Sequence, residues 1–252
     1  MIAITHVPSP AMEHGQRTHI GRAPIDFDRA VRQHQEYCRL LRHGGAEVRT
    51  LDIYRDLPDC AFIEDTALVL DELALLASMG VDSRRAEVAG IESELRKYRE
   101  VKRIPLPALI EGGDVLRVGR TLLVGLSCRT DAAGIRALEA VVRPLGYKVV
   151  AIPVQGCLHF KTACTALDDR TLLVNPAWVD CGLLKGFRLI QVPEDEPWAA
   201  NVLRMGPVVG VPAQHVRTAE MVAQLGFAVQ STDLSEFAKA EAGITCLSLL
   251  VN

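Results

Sequence analysis

Residues 111–126, EGGDVLRVGRTLLVGL, decide the reading of this chain. Two apolar runs, DVLRV and TLLVGL, flank a Gly-Arg turn, the pattern of a tight antiparallel hairpin. The hairpin opens with polar and reactive residues, Glu111 and Asp114, ahead of its first strand. The same arrangement recurs in EDTALVLDELALLA (64–77), HFKTACTALDDRTLLVNP (159–176) and AANVLRMGPVVGVP (199–212). GITCLSLLVN (243–252) is a fifth version with one strand only. Spacings of roughly 40–50 residues are those of propellers and solenoids. The five openings carry Glu64 and Asp65, Glu111 and Asp114, His159, Asn201, and Cys246. Five units about an axis would aim all of them at one centre. The fifth unit lacks a second strand, which the N-terminal IAITHV (2–7) can supply, closing the ring without a free edge.

Between the hairpins lie amphipathic helices. One runs from Asp26, an N-cap, to Gly44, with Ala30, Val31, Tyr37, Cys38 and Leu41 on one side. Others are expected over Arg84 to Glu100, from Asp131 to Leu145 with Gly146 as the stop, and from Thr218 to Leu225 before Gly226. No Ser/Gly-rich linker or low-complexity stretch interrupts the 252 residues, which are expected to form a single α/β domain over 1–252.

Composition narrows the function. Hydrophobic residues make up 49% and charged residues 23%, with a net charge of −3 and no basic run, so nucleic acid is not an expected partner. The first residues have neither a basic n-region nor a long apolar core, and no stretch is long enough to span a bilayer. Seven cysteines without CxxC spacing fit a reducing, cytoplasmic compartment better than a disulfide framework. Cys157 and Cys164 flank His159, but their spacing matches no zinc pattern, and no metal or cofactor is expected. Nucleotide-binding glycine motifs are absent.

One Cys, one His and several carboxylates opening the same repeated element suit nucleophilic chemistry. Singly each has a plainer reading. Cys246 could be core, His159 structural, and Asp71 and Glu72 a solvated turn. Glu64 and Asp65 differ, because they sit between apolar runs, where two carboxylates are costly to bury without a compensating cation. A bound guanidinium would compensate them. Such a pocket should also raise the thiol pKa of Cys246 until the cation binds.

PDCAFIEDTALV, DSRRAEV, EGGDV, GLSCRT, CLHFKT and GITCLSLL resemble, in order and spacing, the signature blocks of the dimethylarginine dimethylaminohydrolases. These belong to the guanidino-modifying, or pentein, superfamily. THIGRAPIDFDRAVRQH extends the likeness into the first helix. The resemblance implies a five-bladed pseudo-symmetric α/β propeller of ββαβ-type repeats. It implies hydrolysis of an Nω-methylated arginine to citrulline and an alkylamine, with Cys246 as nucleophile, His159 as general acid and base, and Glu111 orienting the histidine. Asp59, Glu64 and Asp65 would line the guanidinium pocket, and Arg84 and Arg129 would hold the amino-acid end, chiefly its carboxylate. Gln16, in the lid segment, falls near where a family residue contacts the substrate's amino group through its backbone. Family members often carry Asp and Gly where this chain has Glu241 and Ala242, and AMEHGQRTH (11–19) departs from the family's lid. Arginine deiminases of the superfamily usually have H-x-D where this chain has His159-Phe160-Lys161. Hydrolysis of arginine or another guanidino compound is therefore the alternative, and a non-catalytic pentein the further one. Amidinotransferases are longer, and a cysteine peptidase motif is missing. The outer helices of such a ring are free to pack against a second copy, so a homodimer is compatible with it.

Overall fold

A computed structural model describes residues 1–252 as five three-stranded sheets, each a blade of one ring. In blade II, Ala67–Val69 and Leu73–Leu76 pair antiparallel, and Glu100–Arg103 adds alongside in parallel. Blade III repeats this with Val115–Val118, Thr121–Leu126 and Lys148–Pro153. Blade IV uses Cys164–Ala166, Thr171–Val174 and Arg188–Gln191. Blade V uses Leu203–Met205, Val208–Pro212 and Ala228–Thr232. All four expected hairpins form.

Blade I is built from both ends of the sequence. Leu249–Val251 pairs antiparallel with Ile2–His6, in the register Ile2 to Val251 and Ile4 to Leu249, and Glu47–Leu51 completes it in parallel. The expected pairing of the N-terminal strand with the last unit is thus present. Ile2–His6 is bonded on both sides, whereas Leu249–Val251 pairs on one side and its other edge faces the axial cavity.

The third strand of each blade is polar, as in Glu47–Leu51 and Glu100–Arg103, and alternation alone does not reveal it. Four blades reach that strand through a helix. Phe27–His43 is capped by the Asp26 carboxylate, which accepts the Arg29 N–H, and it ends at Gly44 as the sequence implies. Ala132–Val142 is capped by Asp131 and continues as one tight turn to Gly146, whose φ of 83° only glycine adopts freely. Val216–Gln224 ends before Gly226.

Two expectations need correction. The second helix covers only Glu87–Leu95, since Asp82–Arg84 form a separate 3₁₀ turn and Glu100 begins the outer strand of blade II. Burial of the Arg84 guanidinium against Asp65 and Glu87 holds that turn out of line with the helix. Blade IV has no crossover helix, only the 3₁₀ turn Cys181–Leu183, so the repeat is not uniform.

The core lies between neighbouring blades. Helix Phe27–His43 packs Tyr37, Leu40 and Leu41 against Leu203, Met205, Phe237 and Leu247. Helix Ala132–Val142 packs Leu138 and Val142 against Leu122 and Val124. The first strands of the five blades surround an axial cavity of about 560 Å³, which Glu64, Lys161 and Thr245 close at one end. No helix is long and apolar enough to cross a membrane.

Candidate active site

Each blade's first strand is preceded by a short turn, and those turns meet at the end of the axis closed by Glu64 and Lys161. In blade II the 3₁₀ turn Ile63–Thr66 carries Glu64 and Asp65, both buried. In blade III the turn Gly112–Asp114 follows Glu111, which is wholly buried. In blade IV His159 immediately precedes the helical turn Phe160–Ala163. In blade I the turn Thr245–Leu247 carries Cys246.

His159 is the best-defined member. Its Nε2 lies 2.8 Å from Glu111 Oε2, and its Nδ1 lies 3.7 Å from Asp65 Oδ1. The floor beneath it is glycine by necessity. A Cβ at Gly113 would stand 2.5 Å from Asp65 Oδ1 and 2.7 Å from His159 Nδ1. A Cβ at Gly112 would stand 2.0 Å from the Glu64 carbonyl oxygen. Asp114 braces the same floor by accepting the Phe160 N–H at 2.9 Å and the Ser127 hydroxyl at 2.7 Å. Burial works against charge on the His159 ring, but the carboxylates of Asp65, Asp114 and Glu111 outweigh it and raise its pKa to about 9. The ring is an imidazolium at neutral pH.

Glu64 ties the turn that carries Cys246 to the one that follows His159. One carboxylate oxygen meets Lys161 Nζ at 2.5 Å, and the other accepts the Thr245 hydroxyl at 2.7 Å. Asn201 fixes Thr245 from blade V, donating to its Oγ1 at 3.0 Å and accepting its N–H at 3.1 Å. Burial lifts the Glu64 pKa, with Lys161 and Thr245 opposing. Asp65 goes the other way, since His159, Arg84 and Arg129 together overcome its burial.

Cys246 is partly exposed, and its Sγ receives the Gly243 N–H at 3.4 Å. Burial of the sulfur, then Glu64 and Asp65, push the thiol far above its ordinary pKa, as a carboxylate-lined pocket should. The resting site therefore combines a thiol with an imidazolium.

The two arginines differ. Arg84, 4% exposed, gives every guanidinium nitrogen to this protein: to Glu87, to Asp65 at 2.6 Å, and to the carbonyls of Phe62 and Asp59. Arg129 is equally buried, yet its Nη1 has no hydrogen-bond partner and lies 3.5 Å from Glu111 Oε1. Asp59 accepts the Gln16 backbone N–H with both oxygens, at 3.2 and 3.1 Å, while the Gln16 side chain turns away to Ser83. Burial raises the Asp59 pKa, with Arg84 and the Gln16 N–H opposing. All nine residues expected from the sequence thus line one region or brace it.

Sequence reasoning gave no site role to Lys161, Thr245, Glu87 or Glu241, which hold the other residues in place. Thr245 adjoins Cys246 and Lys161 lies two residues from His159, and that adjacency was the available signal. Donor atoms of Asp65, Glu111 and His159 lie within 4.8 Å of one another. That spacing can hold a cation, but His159 Nε2 is already committed to Glu111.

The arrangement has counterparts. The arginine deiminase family model matches residues 52–196. N(G),N(G)-dimethylarginine dimethylaminohydrolase of Streptomyces coelicolor is 39% identical over 98% of this chain and 95% of its own length. The enzyme of that name from Pseudomonas aeruginosa is 32% identical, over 98% of this chain and 97% of its own. Among solved structures, a cysteine-to-serine variant of the Pseudomonas aeruginosa enzyme complexed with citrulline superposes with a TM-score of 0.90 at 30% identity, covering 98% and 97% of the two chains. A dimethylarginine dimethylaminohydrolase adduct with S-methyl-L-thiocitrulline gives 0.92 at 31% identity, covering 98% of each. With five blades, an axial site and similarity along its full length, this chain belongs to the dimethylarginine dimethylaminohydrolase family.

Proposed function

We propose that residues 1–252 act as one catalytic domain that hydrolyses Nω-methylated arginine to citrulline and an alkylamine, through a covalent intermediate on Cys246. The observation that carries this reading is the geometry of the site, with His159 Nε2 held 2.8 Å from Glu111 and the buried Glu64 bonded to the turn that carries Cys246, next to the buried Asp65. Such a site has little reactivity until a cation enters. A guanidinium between Glu64 and Asp65 supplies charge that lowers the cost of a thiolate at Cys246, and the thiol proton passes to solvent.

The sulfur then attacks the guanidinium carbon, forming a C–S bond. His159 donates its proton to the substituted nitrogen as the C–N bond breaks, and the alkylamine leaves. The neutral ring next takes a proton from water. Hydroxide attack on the thiouronium carbon breaks the C–S bond, citrulline forms, and the departing sulfur recovers a proton. Glu111 keeps the ring oriented in both steps. Asp59 is the acceptor for the substrate's amino group, beside the Gln16 backbone. Arg129, with a free nitrogen, is the residue that meets the substrate's carboxylate. Arg84 acts through Asp65, which it holds charged.

The substrate is a small guanidino compound. Seven cysteines, all unpaired, support a cytoplasmic setting. The assembly proposed is a homodimer. Sedimentation giving only single-chain mass at micromolar protein would exclude it.

The deciding assay is citrulline release from asymmetric dimethylarginine, with monomethylarginine and arginine in parallel. Turnover of the methylated substrates is expected, and its loss in Cys246→Ser. Turnover of arginine alone would make the protein a deiminase, and no turnover by folded protein would leave a binding role.

A further inference from the structure

Glu241 is the only residue other than glycine in this chain with a positive φ, 63°. It stands where helix Ser235–Ala238 ends in a reversal: its N–H donates to the Ala238 carbonyl at 3.0 Å, and the Ala242 N–H donates to the Phe237 carbonyl at 3.1 Å. That pair of bonds is the left-handed helix stop in which glycine is the usual residue, because a side chain is strained there. Glycine would satisfy the turn, so the turn does not explain the glutamate.

Its side chain does. The carboxylate is buried, with Oε2 accepting the Thr18 N–H at 2.6 Å and Oε1 accepting the His19 N–H at 2.9 Å. Between them and Asp59, Arg17 donates from Nε to the Lys239 carbonyl at 2.8 Å, and Gln16 donates its N–H to Asp59. Residues 16–19 therefore stretch from the Asp59 wall of the site to the loop leading into Cys246. Two residues beyond Glu241, Gly243 supplies the N–H that meets Cys246 Sγ. Gly243 packs closely against Asn201, whose Oδ1 would lie 2.2 Å from a Cβ at that position. Strain held at one residue beside a reactive group, and offset by contacts made elsewhere, is a feature of functional positions.

We propose that Glu241 is a positioning residue that latches segment 16–19 across the amino-acid end of the site. It couples closure of that segment to the loop that presents Cys246. The inference rests on the hydrolase reading for its kinetic consequence only.

Glu241→Gly is the informative variant, because it suits the backbone while removing the latch. We expect its thermal midpoint to equal or exceed that of the parent. Tryptic cleavage after Arg17 or Arg22 should become about tenfold faster. Alkylation of Cys246 by iodoacetamide should accelerate, and KM for dimethylarginine should rise about tenfold with kcat changed far less. Glu241→Gln, which keeps the length and one acceptor, should fall between. Parental cleavage and alkylation rates in the glycine variant would overturn the latch, as would cleavage that speeds equally at sites far from residues 16–19, which would make Glu241 a structural residue. The cleavage and alkylation arms need no turnover, so they stand even if methylated arginines prove not to be substrates.

Discussion

At the residue scale, the chemistry turns on which group holds the proton. His159 has its pKa raised to about 9 by carboxylates that outweigh burial, whereas the unfolded side chain titrates near 6.5. A pKa raised by folding stabilises the native state fully below about 6.5, and that contribution is lost as pH rises through about 9. In the proposed mechanism the acid form is also the one that protonates the leaving amine. Because kcat/KM reports the free enzyme, its alkaline limb is expected near pH 9. Glu111→Gln should move that limb downward, and a pH profile with the same limb in both proteins would contradict the assignment. The sequence alone suggested the pairing of His159 with Glu111 only through family likeness. Nothing in the spacing of two residues 48 positions apart dictates a contact.

At the element scale, hairpins and helix caps were legible because they are local. A Gly-Arg turn between apolar runs specifies an antiparallel pair, and Asp26 or Asp131 ahead of an amphipathic run specifies a helix start. The outer strands were not legible. Each pairs on one side only and faces water, so Glu47–Leu51 and Glu100–Arg103 carry charged residues and read as loop or helix end. The early end of the second helix was hidden for another reason, since Arg84 is drawn into a buried ion pair with Asp65, nineteen residues back. The turn Gly112–Asp114 shows how tightly an element can be set. Gly113→Ala would push a methyl group between Asp65 and His159. We expect kcat/KM to fall about 100-fold, as for an ångström-scale misplacement of catalytic groups. Far-ultraviolet circular dichroism should be unchanged. Activity within threefold of the parent would show that the floor yields.

At the scale of the whole molecule, the ring is closed by a single three-residue strand. Leu249 and Val251 are buried in it, between Ile2–His6 and the core around Ile63 and Leu76. Burying two such side chains contributes about 3–6 kcal/mol, a large share of the roughly 5–15 kcal/mol that holds a domain together. Removing residues 249–252 should therefore lower the urea midpoint sharply. An unchanged midpoint would mean that the ring does not depend on its clasp. The same clasp has a temporal consequence. Ile2–His6 leaves the ribosome long before its partner Leu249–Val251, so blade I waits until the residues of the other four blades have been made. Cys246 lies only three residues before that strand. Until that strand is made and paired, Cys246 sits on an unanchored turn and the ring stays open. The nucleophile of the proposed reaction is therefore seated only when the ring shuts.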